Sequence, residues 1–329
     1  MQENMSIFSN ESEQQRTLLE KLIRENAGSM DIMIHYHIRP DGDCIGCAYA
    51  AAFFLKGLGY RVNVAGHDPV PEVFGYLIKD FTPDEVDEQN LIRIAVDTAS
   101  PERLGRFADE KIDICIDHHL GNSIDAGIKI AEPQAPACAE ILFILMKEHL
   151  AKNPYRRQIT DLLYMAIITD TERFSHEDVR AQTFIAAAEL IKLGADSFRI
   201  TQRHSVIKSK AKLEYEHRLA SGYRFLKGHQ IVSAVLTQKD ALEIGVGINA
   251  FPDLSSKPLE LETVKAAILV RELEDGYSRV SVRTRGDVDA DEICRKFGGG
   301  GHKNAAGCTL REPPDRVREL FETETLDHI

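Results

Sequence analysis

Four short apolar runs within the first 170 residues of the chain each lead into aspartate. The runs cover 32–36, 91–96, 112–116 and 165–169; Asp97, Asp117 and Asp170 follow the last three directly, and the first leads through His37 to Asp41 and Asp43. The runs lack a clean polar alternation, which is typical of parallel strands covered on both faces. Helix-like segments lie among them at 45–57, 137–151 and 155–168, the last overlapping the fourth run. The pattern predicts an α/β domain over residues 1–195, with a doubly wound, mainly parallel sheet.

A change of composition predicts where this first domain ends. Residues 196–222 are polar and basic, which indicates a helical linker. Beyond them lie β-rich runs at 230–237, 264–273 and 277–284. The turn Asp275-Gly276 between the last two runs is a hairpin signal. We therefore expect a second, smaller α/β domain over 223–329.

Charge and composition exclude several kinds of partner. The formal net charge of −12 argues against a groove for long duplex nucleic acid, since such binders carry a basic excess. No apolar stretch approaches the roughly 20 residues that span a bilayer, and the first residues lack the order of a signal peptide. Six cysteines, some within apolar segments, suggest reduced thiols. We expect a cytoplasmic protein without a membrane partner, and a homodimer is compatible with the sequence.

The carboxyl ends of parallel strands share one edge of a sheet, which is where α/β domains bind ligands. The residues expected there combine four carboxylates with two imidazoles: Asp41, Asp43, Asp97, Asp170, His37 and His118. This set, without a thiolate, suits Mn²⁺ or Mg²⁺ better than structural zinc. Single aspartates after strands are often helix N-caps. Six metal-binding side chains together instead predict two divalent ions that share one carboxylate, with Mn²⁺ favoured and Mg²⁺ the alternative.

A glycine run marks the second domain. Gly298 to Gly301 are followed directly by His302 and then by a small-residue segment that we interpret as a helix. Consecutive glycines allow backbone N–H groups to approach an anion, and Arg283, at the end of the run 277–284, can grip a phosphate with two hydrogen bonds. A flexible loop is the alternative. The segment predicts a binding site for a phosphate-bearing ligand.

The order of these motifs resembles the DHH phosphoesterase family. The resemblance rests on His37, Pro40, Asp41 and Asp43, on Asp97, on the triplet Asp117-His118-His119 and on Asp170-Thr171; the stretch 281–284 and the glycine run with His302 resemble the DHH-associated C-terminal domain. Within the family, the compact two-domain layout is most similar to enzymes that degrade very short RNAs and dephosphorylate 3′-phosphoadenosine 5′-phosphate (pAp). Two positions depart from the family pattern: Cys47 stands where serine is frequent, and Glu172 stands where glycine is common, which would narrow the substrate range.

The resemblance also implies roles for individual residues. His37, Asp41 and Asp97 would hold one Mn²⁺, and Asp43, Asp97, His118 and Asp170 the other. His119 would act on the scissile phosphate as a donor or acid. Arg283 with Gly299, Gly300, Gly301 and His302 would bind the far end of the substrate.

Three functions follow, in decreasing order of support. The first is a Mn²⁺-dependent phosphoesterase that acts on short oligonucleotides or pAp in the cytoplasm. The second is a phosphodiesterase for cyclic dinucleotides or for linear dinucleotides of the pApA type. The third is a nucleotide-sensing protein without turnover, which is disfavoured because all six metal-binding side chains are present. A redox role for Cys44 and Cys47 is a further alternative.

Overall fold

The computed structural model of the protein describes residues 8–26, 29–247 and 254–329. Its chain divides into two compact units, Met1–Ile207 and Lys208–Ile329. In the first unit the helices are α1 (Asn10–Asn26), α2 (Gly42–Gly57), α3 (Gly75–Ile78), α4 (Cys138–Leu150), α5 (Arg156–Asp170), α6 (Ala181–Leu193) and α7 (Ser197–Thr201). Its strands are β1 (Asp31–Tyr36), β2 (Val62–Gly66), β3 (Leu91–Val96), β4 (Ile112–Asp117) and β5 (Ala126–Ala131).

The five strands of the first unit form a parallel sheet in the order β2-β1-β3-β4-β5. This confirms the predicted α/β fold. The chain changes direction across the sheet between β1 and β3, and ligands bind beyond the carboxyl ends of strands at such a switch point. The strands that precede His37 and Asp97 are therefore the two that border the expected crevice.

The two faces of this sheet are covered unequally. Ile34, Ile94 and Ile116 belong to the large core beneath α1, α2, α4 and α5. The opposite face has a smaller cluster around Leu104 and Cys115, because a 3-10 helical segment rather than a long helix connects β3 to β4.

Two elements of the first unit differ from the sequence-based expectation. The run 165–169 is the last part of helix α5, so Asp170 ends a helix and not a strand. Strand β5 was not predicted, because its sequence AGIKIA contains few of the residues that favour strands. Residues 196–222 form α7, a π-helical turn at Gln202–Val206 and the first helix of the second unit.

The second unit contains a mixed six-stranded sheet in the order β10-β11-β9-β8-β7-β6. Its strands are β6 (Arg224–Leu226), β7 (Ile231–Leu236), β8 (Ala266–Glu272), β9 (Ser278–Thr284), β10 (Gly300–His302) and β11 (Ala305–Leu310). Its helices are α8 (Lys210–Ser221), α9 (Gln238–Ile244), α10 (Ala290–Arg295) and α11 (Pro314–Leu326). Strands β8 and β9 are the predicted antiparallel pair around Asp275-Gly276. The small-residue segment after the glycine run is strand β11 and not the expected helix.

Within the part of the chain that the structure describes, no helix has both the length and the apolar character that a membrane span requires.

Candidate metal centre

Asp97 lies at the centre of the candidate site, directly after β3. Its backbone adopts a left-handed conformation, with φ of 50°, which is uncommon for a residue with a side chain and concentrates at functional sites. Its N–H donates to the carbonyl of Ile116 on β4 at 2.9 Å. The side chain is only 2% exposed. The strand end therefore places a carboxylate inside the crevice and not in solvent.

Two glycines on α2 allow the loop between β1 and α2 to lie close to Asp170. A Cβ atom at Gly42 would lie 2.2 Å from Thr169 Oγ1, and one at Gly46 would lie 2.7 Å from Ala166 Cβ. Since real Cβ atoms do not approach other atoms so closely, only glycine at these positions permits this packing of α2 on α5. The close approach of the helices places the start of α2 beside the end of α5.

The six predicted metal-binding side chains meet at this edge of the sheet. His37 Nε2 lies 3.6 Å from Asp97 Oδ2 and 3.7 Å from Asp41 Oδ2. His118 Nε2 lies 3.4 Å from Asp97 Oδ1, 3.5 Å from Asp170 Oδ2 and 4.0 Å from Asp43 Oδ2. Asp97 thus directs one oxygen toward each histidine, which is the arrangement of a carboxylate shared between two ions.

Unpartnered atoms at the centre fit a bound cation. His37 Nε2 and Asp97 Oδ1 are buried and have no hydrogen-bond partner among the described residues. His37 Nδ1 lies 2.8 Å from the carbonyl of Ile38, and His118 Nδ1 lies 3.0 Å from that of Ala135. When His118 Nδ1 donates to its carbonyl, its Nε2 presents a lone pair to the cluster, as metal-binding histidines do. His37 Nδ1 also lies 3.0 Å from Arg103 Nη2, a group that only donates.

The electrostatics of the cluster favour a bound cation. Burial, together with the charges of Asp97 and Asp170, raises the pKa of Asp43 well above its usual range. Burial and Asp97 likewise raise the pKa of Asp170 to about 6. Burial alone would lower the pKa of His118, but the close approach of Asp97 and the charges of Asp43 and Asp170 raise that pKa to about 10. Carboxylates this close repel one another, and divalent cations relieve that repulsion.

Asp43 also stabilises the start of α4. Its Oδ2 accepts the N–H of Cys138 at 2.6 Å, and its Oδ1 accepts the N–H of Ala139 at 3.1 Å. The residue at the N-cap position, Ala137, forms no side-chain cap of its own. Asp43 therefore supplies from another segment the acceptor that a helix start requires, and Cys47 donates its thiol to Oδ1 at 3.2 Å.

His119 has a different environment from its neighbour His118. Its Nδ1 lies 2.8 Å from Asp117 Oδ1, and Asn122 donates to the other oxygen of Asp117 at 2.6 Å. Asp117 is fully buried, whereas the side chain of His119 is 38% exposed. The hydrogen bond with Asp117 raises the pKa of His119. The ring is thus held in place by Nδ1 while its side chain stays partly exposed, as a proton donor requires.

Sequence reasoning missed Cys44. It treated the site as free of thiols, but the ligand atoms of His37, Cys44 and Asp97 all lie within 4.8 Å of one another. The Cys44 thiol is buried and accepts the N–H of His37 at 3.2 Å. Its position directly after Asp43 at the start of α2 was the available signal. Both Cys44 and Cys47 are free thiols.

Glu172, which stands where the family commonly has glycine, lies in a turn. Its backbone and that of the next two residues, through Phe174, have positive φ angles. Its side chain is 59% exposed, and its Oε1 lies 3.8 Å from His176 Nε2. Its effect on substrate range stays a prediction.

The glycine run of the second unit differs from the expected anion nest. The N–H groups of Gly298, Gly299 and Gly301 donate to Arg295 O, Cys294 O and Asp291 Oδ1. Close packing instead requires glycine at two of these positions, Gly299 and Gly301. A Cβ at Gly299 would lie 2.3 Å from Cys308 Cβ, and one at Gly301 would lie 2.4 Å from Ala305 O.

The glycine run borders an open part of the second sheet. A groove there is lined by residues of β9, β10 and β11, including Arg279, Ser281, Arg283, Gly300 and Gly307. Strand register places Arg283 opposite Ala305, and Ala305 opposite His302. The groove therefore combines two arginines with two glycines, and the exposed His302, on the neighbouring strand β10, lies at the same register as Ala305.

Comparison with known proteins agrees with this geometry. Residues 31–167 match the DHH family, N-terminal domain, and residues 233–325 match the DHHA1 domain. This chain belongs to the DHH family. The DHH match contains five of the six clustered side chains, and the DHHA1 match contains Arg283 and the glycine run.

Named relatives extend over most of the chain. The bifunctional oligoribonuclease and PAP phosphatase NrnA of Thermus thermophilus is 29% identical over 301 residues, which cover 89% of this chain and 90% of that protein. The protein of the same name from Bacillus subtilis is 27% identical over 317 residues, covering 93% and 97%. An exopolyphosphatase-related protein from Bacteroides fragilis shares the fold, with a TM-score of 0.84, 19% identity and 96% coverage of both chains.

Proposed function

We propose that this DHH-family protein is a metal-dependent phosphoesterase that hydrolyses short oligonucleotides and pAp. The observation that carries the proposal is the central pair of buried, unpartnered atoms, His37 Nε2 and Asp97 Oδ1, within a cluster of four carboxylates and two imidazoles. The substrate class is supported by the names of the relatives, which are oligoribonucleases and PAP phosphatases.

The proposed metal set follows the geometry of the cluster. His37, Asp41 and Asp97 would hold one divalent ion, and Asp43, Asp97, His118 and Asp170 the other, with Mn²⁺ as the proposed resident metal. Bound cations would neutralise charge on the substrate phosphate and lower the pKa of an attacking water. The nitrogen and oxygen donors suit Mn²⁺ and Mg²⁺.

The remaining roles belong to the protein's own side chains. His119, oriented by Asp117 at 2.8 Å, would hold a proton and donate it to the leaving oxygen of the substrate. In the second unit, Arg283, His302 and the glycines Gly299, Gly300 and Gly301 would bind the far end of the substrate. The Arg283 guanidinium can donate two hydrogen bonds to a terminal phosphate, and the glycines, which have no side chains, leave space in the groove for that phosphate. The homodimer and the cytoplasmic location stay predictions of the sequence.

One set of rates tests the substrate. The purified protein is assayed with Mn²⁺ on pAp, on RNAs of two to five nucleotides and on cyclic di-AMP, with EDTA and Asp97→Asn as negative controls. We expect turnover of pAp and of the short RNAs that both controls abolish. Turnover of cyclic di-AMP alone would replace this substrate class with cyclic dinucleotides. Binding of nucleotides without any turnover would indicate a sensing protein.

A further inference from the structure

Two arginines of the second sheet lie side by side without an acidic partner. Arg271 on β8 and Arg279 on β9 are opposite each other in the antiparallel ladder, so both side chains extend from one face, with Cβ atoms roughly 4.5–5.5 Å apart. Neither guanidinium group forms an ion pair or a hydrogen bond with the part of the chain that the structure describes. Like charges directly opposite each other destabilise a sheet, and a bound anion would relieve that repulsion.

The second unit pairs many of its other arginines with acids. Those that form an ion pair with a carboxylate are Arg218, Arg224, Arg295, Arg316 and Arg318. The plain alternative is that Arg271 and Arg279 are only solvated, as surface arginines often are. In a chain with a net charge of −12, however, two neighbouring guanidinium groups without a carboxylate are unusual, and Arg271 is only partly exposed. An anionic ligand explains the pair better than solvent does.

Arg279 lies at one end of the groove on the second sheet, and Arg283 lies at the other. Both line it together with Ser281, because alternate residues of a strand share one face. Its volume of about 340 Å³ lies within the ~300–1,000 Å³ of ligand pockets. Thr309, which is exposed, is opposite Arg279 on β11. No acidic residue is among the described residues that line this groove.

The spacing along β9 separates two anion positions. Arg279 and Arg283 are four residues apart, which corresponds to about 13 Å at roughly 3.3 Å per residue. Side chains stand roughly perpendicular to a sheet, so the two guanidinium groups stay apart and one phosphate does not fill both positions. Between them, Ser281 has a small side chain and Gly307, opposite it, has none. The middle of the groove therefore leaves space for a sugar or a base.

We propose that Arg271, Arg279 and Thr309 form a second phosphate site, which binds an internal phosphate of an oligonucleotide whose end lies at Arg283. The inference rests on the proposed function, since it concerns the same substrate, and it adds a reason for a preference in substrate length. Both phosphates of pAp are on one nucleoside, so pAp does not extend from Arg283 to Arg279, whereas an RNA of several nucleotides does. Guanidinium and hydroxyl groups contact backbone phosphates without reading the bases, so the site selects length and not sequence.

Rates on substrates of different length test this site. With Mn²⁺ present, kcat and KM are measured on pAp and on a five-nucleotide RNA for the wild type, Arg279→Ala and Arg279→Lys. Arg279→Ala should lower kcat/KM for the RNA by about 10-fold relative to kcat/KM for pAp, as expected for a lost hydrogen bond to a charged group, with most of the change in KM. Arg316→Ala, an exposed change on α11, is the matched control and should keep the wild-type ratio.

The salt dependence separates a phosphate contact from a structural effect. One contact to a single-stranded phosphate contributes about 0.7 to the slope of log affinity against log salt concentration. The slope of log kcat/KM for the five-nucleotide RNA should therefore be smaller by about 0.7 in Arg279→Ala, and Arg279→Lys, which keeps the charge, should recover it. Arg271→Ala measures the same site independently and should show the same selective loss on the longer substrate.

An equal loss on pAp and on RNA, or a wild-type salt slope in Arg279→Ala, would overturn the second phosphate site. Circular dichroism checks that each variant is folded; since each alanine variant removes one of two like charges, Tm should not fall. A wild type that hydrolyses neither pAp nor short RNA would refute the proposed function, and this inference with it. A wild type that hydrolyses both, with variants that lack the length dependence, would refute only the second site.

Discussion

Asp43→Asn should destabilise the first unit even in the absence of metal. The carboxylate accepts the N–H groups of Cys138 and Ala139 with separate oxygens, at 2.6 and 3.1 Å. Asparagine has one acceptor oxygen, so its NH₂ group would face one of these buried donors. Asp43 thus differs from a residue that only binds a cation.

The expected magnitude follows from the lost acceptor. A buried N–H without a partner costs about 1–3 kcal/mol, and a lost helix cap typically costs about 1 kcal/mol. These overlap here, because the N–H groups are those of the helix start, so the lost acceptor costs about 2 kcal/mol in the free energy of unfolding. Asparagine also removes the repulsion from Asp97 and Asp170 that raises the pKa of Asp43, so about 2 kcal/mol is the upper bound of the expected loss. For a unit of this size, about 2 kcal/mol lowers Tm by roughly 4–8 °C.

Asp170→Asn is the matched control. Its carboxylate lies 3.5 Å from His118 Nε2, and burial among like charges raises its pKa to about 6. Removing this charge relieves repulsion, so Tm in EDTA should stay unchanged or rise. Thermal unfolding of wild type and both variants, followed by circular dichroism with EDTA present, measures the difference. Equal Tm values for the two variants would show that Asp43 does not stabilise α4.

Three further predictions concern activity. Asp97→Asn should reduce hydrolysis by more than the ~10–100-fold typical of outer-shell changes; added Mn²⁺ should restore chelated wild type but not the variant, and recovery of the variant would remove the shared-ligand role. Because Asp117 raises the pKa of His119, the protonated donor is lost only as pH rises through that raised value. Asp117→Asn should therefore move the alkaline fall in kcat to lower pH, and an unmoved pH profile would exclude His119 as the acid. Arg283→Ala should raise KM for pAp more than it lowers kcat, whereas Arg316→Ala, an exposed change on α11, should leave both unchanged; equal effects would contradict the phosphate contact.

Much of the site could be predicted because it lies at the ends of strands. His37 and Asp97 follow β1 and β3, and His118 follows β4, so a parallel sheet places all three on one edge. The hairpin at Asp275-Gly276 was predictable for a local reason, since turn chemistry depends on few residues.

Other features required contacts that a sequence pattern does not contain. Asp170 was expected after a strand, but it reaches the centre from the end of α5, because Gly42 and Gly46 allow α2 to pack closely on that helix. The glycine run was expected to be an anion nest, yet packing against Cys308 and Ala305 explains why Gly299 and Gly301 are glycines. In both cases the spacing of residues along the chain was compatible with more than one conformation.

The sequence by itself determined which donors are available: acids and histidines follow apolar runs whose type and order predict a parallel sheet. The tertiary structure alone decided which atoms are neighbours, that Asp97 directs one oxygen to each histidine, that Asp43 also stabilises α4, and that Cys44 lies beside the centre. The physical reason is that strand ends follow from local patterns and hydrogen bonding, whereas distances between segments far apart in the chain depend on how closely helices pack.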